Sequence, residues 1–218
     1  MYLQVRTVCA SAVVLSSLTL AYGEDVEAIS PKNTAIQLFN GKNLDGLYTW
    51  LRDAKYEDPR KVFAVEDGMI HISGDGFGYV CTKQRYQNYH LVVEYRWGER
   101  TWQARKTRAR DSGVIGHCVD PDGSWYDTFM AGIEAQIIEG GVGDFIVVPG
   151  KRADGSAIPV SLTAETAKDR DGENIWHKGG QRITLNAGRI NWFGRDPDWD
   201  DVLGYRGKQD LDSPGKEW

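Results

Sequence analysis

Between clusters of Gly, Asp and Asn, the chain repeats short runs rich in Val, Ile, Tyr and Phe: AIQLF, KVFAVE, MIHIS, GYVCT, YHLVVEYRW, SGVIGHCV, GIEAQII, DFIVV, IPVSLTAE, RITL and RINWF. In none of them do apolar residues recur at the three-to-four spacing of an amphipathic helix, and no internal repeat stands out. Strand-like runs at this spacing, without helices between them, predict an all-β sandwich or barrel. The clearest run is YHLVVEYRW, with Tyr89, Leu91, Val93, Tyr95 and Trp97 on one side and His90, Val92, Glu94 and Arg96 on the other. Asp67-Gly68, between VFAVE and MIHIS, is a two-residue hairpin signal.

With 218 residues, 41% hydrophobic and 26% charged, the chain is globular and long enough for one large all-β domain or two small ones. Its net charge of −5 and scattered Lys and Arg exclude a nucleic-acid surface. The short basic run Arg105 to Arg110 reads as a solvated loop or a local anion contact. Eight Trp and ten Tyr suit both strands and sugar-stacking surfaces, because a flat ring can cover the C–H face of a pyranose.

The first residues carry one positive charge at Arg6, an uncharged apolar run to Leu20 and small residues at Ala21 and Gly23, the layout of a secretory signal peptide. The uncharged span from Thr7 to Gly23 falls short of the roughly 20 residues a membrane helix needs, and Glu24 and Asp25 follow it, so no membrane span is expected. We expect residues 1–23 to be removed after Gly23, residues 24–33 to form a linker, and the mature chain to be secreted or periplasmic. Cys9 has no small-residue lipobox before it, which argues against a lipid anchor. In an oxidising compartment Cys81 and Cys118 either pair or remain two small thiols; the sequence leaves both open.

Two long polar loops, Gly98 to Arg110 and Asp120 to Ala131, bracket the strand Ser112 to Val119. GGVGD lacks the Lys-Ser/Thr ending of a phosphate loop and is read as a turn. Asp120-Pro-Asp122-Gly and Asp169-Arg-Asp171-Gly resemble pieces of calcium loops but lack the remaining ligands, and are also read as turns. No Gly-x-Ser-x-Gly elbow and no His-x-x-x-His or Cys-x-x-Cys spacing occurs. What remains is GIEAQII, where Glu134, Gln136 and Ile138 share one face, and SGVIGHCV, where Ile115, His117 and Val119 do. If the two faces line one concave sheet, His117 and Glu134 become neighbours able to share a proton or a metal ion.

The ordered series LFNGKNLDGLYTW, VFAVEDGMIHISGDGFGYVCTKQRYQNYHLVVEYRWG, ARDSGVIGHC, GIEAQIIEGGVGDFIVV and YRGKQDLDSPGKEW resembles the 3-keto-disaccharide hydrolase domain family over most of the chain from Ile36 onward. The resemblance implies a concanavalin A-like jelly-roll β-sandwich over residues 34–218, C-terminally incomplete because typical members continue past the Gly-Lys-Glu-Trp stretch. It implies cleavage of glycosides oxidised to a ketone at C3, with a carbohydrate as partner: C2 deprotonation, expulsion of the aglycone from C1, then hydration.

The family's Asn-Ser-Gly pattern falls on Asp111-Ser112-Gly113, departing from it at Asp111 and at Gly116-His117; its Glu-x-Gln pattern falls on Glu134-Ala135-Gln136 and ends on Glu139. The expected roles are Glu134 as base or metal ligand, His117 as its partner or acid, and Gln136, Asp111 and Glu139 as sugar-binding residues, with Trp125 as a stacking platform. A divalent cation on the enolate oxygen is chemically attractive, and the sequence spells no ligand set for one. A non-catalytic carbohydrate-binding module and a structural cell-surface domain are the rival readings, since the same sandwich serves all three.

Overall fold

The computed structural model describes residues 1–9 and 27–205. In it the alternating runs become strands β1 (Tyr2–Cys9), β2 (Leu47–Leu51), β3 (Phe63–Glu66), β4 (Met69–Ile72), β5 (Gly78–Thr82), β6 (Tyr89–Arg96), β7 (Asp111–Val119), β8 (Ala131–Ile138), β9 (Phe145–Val148), β10 (Leu162–Lys168), β11 (Asn174–Trp176), β12 (Gln181–Leu185) and β13 (Gly188–Ile190). A single 3-10 turn, Gln103–Lys106, is the helical exception among the described residues. The strands pair antiparallel into sheets ordered β3-β4-β1-β6, β13-β9-β8-β7, β11-β10-β12 and β2-β5, the all-β sandwich expected.

Local chemistry explains the connections. Asp67 and Gly68 both take positive φ, 50° and 75°, so the hairpin closes with Glu66 opposite Met69. The apolar side of β6 turns inward, where Val93 and Tyr95 pack against Phe39, Leu47 and Ile70. A second cluster of Leu51, Val62 and Phe63 shares Leu44, Ile72 and Val80 with the first, which ties the β2–β5 pair to the β3–β4 hairpin.

Two details differ from the sequence reading. The run AIQLF forms no strand; Phe39 is instead a 2% exposed core plug. The chain turns at once behind it because Asn40 Oδ1 accepts from the amides of Lys42 and Asn43. Conversely β2 has no alternation to read, since Leu47, Trp50 and Leu51 are all buried.

β7, β8, β9 and β13 form the sheet that matters for function. Asp111 lies opposite Ile138, Gly113 opposite Gln136 and Ile115 opposite Glu134; Glu134 in turn lies opposite Ile146, and Ile146 opposite Arg189. The turn after β8 is built by Gly140 and Gly143 at φ 76° and 110°, as read for GGVGD.

β1 sits between β4 and β6, with Leu3 opposite both Ile70 and Tyr95. Most of the expected leader, its cleavage point and the expected incomplete C-terminus fall in residues 10–26 and 206–218, outside the described residues. Removal of residues 1–23 would take β1 away and leave the facing edges of β4 and β6 unpaired. Intact-mass measurement of protein recovered outside the cytoplasm is expected to give a chain starting at Glu24; a mass that includes Met1 would retain β1 in the sheet and remove the leader reading.

Candidate active site

Alternation along β8 puts Glu134 and Gln136 on one face and Ala135 on the other, and the polar face is the enclosed one. Gln136 is only 4% exposed, whereas Ala135 and its cross-strand neighbour Phe145 are exposed. A buried polar residue must be satisfied, and Gln136 is satisfied by half: its Nε2 donates to Asp111 Oδ1 at 3.2 Å, while its Oε1 has no partner. Both residues line a cleft of about 1660 Å³, above the roughly 300–1,000 Å³ of ordinary ligand pockets.

Glu134 lies across Gly113. A Cβ built on that glycine would fall 2.8 Å from the Glu134 Cγ and Cδ, so the missing side chain is what lets the carboxyl rest on the neighbouring strand. Among the described residues, Glu134 has no hydrogen bond or ion pair of its own. Burial, then the charge of Asp111, pushes its carboxyl up from 4.5 to about 7, against the opposing pull of Arg189. Burial also raises Asp111, and the guanidinium groups of Arg105 and Arg189 act against that rise.

Arg105 forms ion pairs with both Asp111 and Asp201, at 2.8 Å to the latter, and Asp201 also accepts from the Ala109 amide. The basic run is therefore a local anion contact made within the chain. Arg110 makes the other, 2.8 Å from Glu139. Arg189 reaches the same face of the sheet from β13, is 34% exposed, and lies 3.3 Å from Asp144.

The structure brings Glu134, Gln136 and Asp111 together and corrects two expectations. Glu139 does not face a sugar: it is 0% exposed, and its oxygens accept from Arg110 and from the amide of Gly204. His117 does not sit beside Glu134. β7 carries an extra residue between Gly116 and Val119, His117 takes φ 54°, and its ring stacks on Tyr89 with centroids 5.9 Å apart. Such a bulge breaks the alternation on which the expected pairing rested. Trp125 lies in the loop between β7 and β8, stacked on Phe129 at 5.9 Å and edge-on to Tyr126 at 4.9 Å, and lines the same cleft. Nearby, Asp122 accepts from the hydroxyls of Tyr48, Tyr56 and Tyr79, which fastens that loop to β2 and β5.

Cys81 and Cys118 are free thiols. No group of three or more His, Cys, Asp or Glu side chains among the described residues is placed to hold a metal ion, so the carboxylates present do not make a cage for the divalent cation considered from the sequence. No helix among the described residues is long and apolar enough to cross a membrane.

The sequence profile of the 3-keto-alpha-glucoside-1,2-lyase-like domain matches residues 34–193. The chain belongs to this family. No curated protein and no solved structure matches it. The 3-keto-glucoside lyase-like domain thus contains every strand of the site sheet, and its family supports a carbohydrate-related function. Sequence reading missed Arg189. Its only signal was its place beside Ile190 in RINWF, which gives a face only when the β13–β9 register is known.

The raised Glu134 carboxyl sets a pH dependence. Folded protein holds a proton that the unfolded chain releases, so this contribution to stability is complete below about 4.5 and is lost as pH rises through about 7. Thermal melts of wild type and Glu134→Gln are expected to diverge across that window, the wild type falling relative to the variant; parallel curves from pH 4 to 8 would contradict the raised carboxyl.

Proposed function

We propose that this protein cleaves 3-keto-glycosides by removing the proton on C2, with Glu134 as the base. The observation that carries the proposal is the state of that carboxylate: enclosed in the cleft, without an ion pair among the described residues, and titrating at about 7. A general base works best when its pKa lies near the working pH, and carboxylates that serve only structure are paired.

The steps balance with one water as co-reactant. A ketone at C3 acidifies the C2 hydrogen; the Glu134 carboxylate takes that proton, and the C2–H electrons become the C2–C3 bond of an enolate. Collapse of the enolate restores the C3 ketone, makes the C1–C2 double bond and expels the C1 oxygen substituent, which takes a proton from solvent. Water then adds across C1 and C2, its hydroxyl to C1 and a proton to C2, to give the free 3-keto sugar. Gln136, whose Oε1 needs a donor, is suited to accept from a sugar hydroxyl, and Trp125 offers a ring in the same cleft. His117 has no part in this proton transfer. The signal-peptide layout of residues 1–23 supports a reaction in the secreted or periplasmic space.

The aromatic group of Trp125, Tyr126 and Phe129 favours a second reading, a carbohydrate-binding module that uses the cleft without chemistry. Release of aglycone from a 3-keto-glucoside separates the two. Wild type is expected to turn over, with an acid limb of kcat/KM rising through about pH 7; Glu134→Gln should lose on the order of 10²-fold or more, and His117→Ala only a few-fold. Turnover that survives Glu134→Gln would remove the base. No turnover at all, together with loss of sugar retention in Trp125→Ala, would establish the binding reading.

A further inference from the structure

The cross-strand register places four residues in one row across the site sheet: Ile115 on β7, Glu134 on β8, Ile146 on β9 and Arg189 on β13. Residues in register share a face, so Arg189 projects on the same side as Glu134, two strands away. Adjacent strands lie about 4.8 Å apart, which puts the two backbones roughly 10 Å apart. Ile146 lies between Glu134 and Arg189 in that row. Both side chains line the cleft.

The charges nearby show that Arg189 is not needed merely to neutralise a neighbour. Asp144, 0% exposed, already has an ion pair with Arg195, which is 11% exposed, and accepts from the amide of Trp192. Arg189 is a second guanidinium on that carboxylate, at the longer distance of 3.3 Å and with 34% of its side chain open. Asp144 anchors it, and the Asp111 carboxylate nearby pairs with Arg105, which Asp201 shares. Of Arg105, Arg189 and Arg195, Arg189 has the most open side chain and a single ion pair, and it lines the cleft together with Glu134.

We propose that Arg189 is the catalytic cation of this site: it binds the C3 oxygen of a 3-keto sugar and stabilises the enolate that forms there when Glu134 takes the C2 proton. The inference rests on the reading of Glu134 as base and adds to it the group that makes the proton removable. The electron pair left on C2 moves to the C3 oxygen, where a delocalised, permanently charged guanidinium meets it as two N–H donors without a bound metal. It also assigns specificity. A sugar with an ordinary hydroxyl at C3 forms no enolate, so it would occupy the cleft without reacting.

The test uses the 3-keto derivative of 1,5-anhydroglucitol, which has no leaving group at C1, in deuterated buffer without added metal. Exchange of the C2 hydrogen, followed by proton NMR, reports enolate formation apart from aglycone release. Wild type should catalyse exchange; Arg189→Gln should lose about 10²-fold or more, Arg189→Lys should keep part of it, and methylguanidinium should restore exchange to Arg189→Ala. Rescue shows that the variant site is folded and that a guanidinium supplies what the variant lacks. Wild-type exchange that Arg189→Gln retains within threefold would overturn the assignment of Arg189 and leave Glu134 standing. Exchange that in wild type appears only with an added divalent cation would overturn it likewise. Wild type that neither exchanges this compound nor releases aglycone from a 3-keto-glucoside would overturn both assignments together.

Discussion

Burying a carboxylate is affordable only when a cation comes with it, and the site sheet is organised around that requirement. Glu139 and Asp144 flank the turn between β8 and β9 and have no exposed surface. Arg110 holds the first, and Arg195 with Arg189 holds the second, each arriving from outside β8 and β9. Removing one partner of such a buried pair typically costs about 3–5 kcal/mol, because the other charge is left behind. The two clamps fix both ends of that turn, and with it the alignment of β9 against β8. Glu134 is the carboxylate left outside this system of pairs, and burial, then the charge of Asp111, raises its pKa.

Backbone geometry then decides which side chains meet. Gly113 removes a side chain where the Glu134 carboxyl must lie, while the bulge after Gly116 carries His117 away towards Tyr89. A strand without the bulge would keep His117 two positions beyond Ile115 on the face of Glu134. One inserted residue therefore separates a plausible acid–base pair and leaves a carboxylate facing a guanidinium across Ile146 instead.

The fold was legible where the sequence alternates: β6, the β3–β4 hairpin and the strands on either side of GGVGD could be read directly, because period two and turn chemistry are local properties. β2 was not, since three of its five residues are buried and no alternation survives. In the site, Glu134, Gln136 and Asp111 were readable from one strand pair and a family resemblance. Arg189 and Asp201 were not: the face of Arg189 depends on a register two strands away, and Asp201 reaches Arg105 across 96 positions of chain. A bulge leaves no mark in an alternation pattern, which is why His117 was misplaced. Glu139 carried the motif's acidic position but gave no sign that Arg110 would seal it.

The straps that close the site come from beyond the matched family region. Asp201 completes the ion-paired chain to Asp111 through Arg105, the Gly204 amide caps Glu139, and the Trp199 indole donates to the Glu139 carbonyl, all past residue 193. A sequence profile ends where resemblance fades, whereas the ion pairs and caps of this site run past residue 193. Anyone excising the domain at the profile boundary would therefore obtain every strand of the site sheet and an altered titration of its carboxylates. A boundary that preserves these contacts includes Asp201 and Gly204.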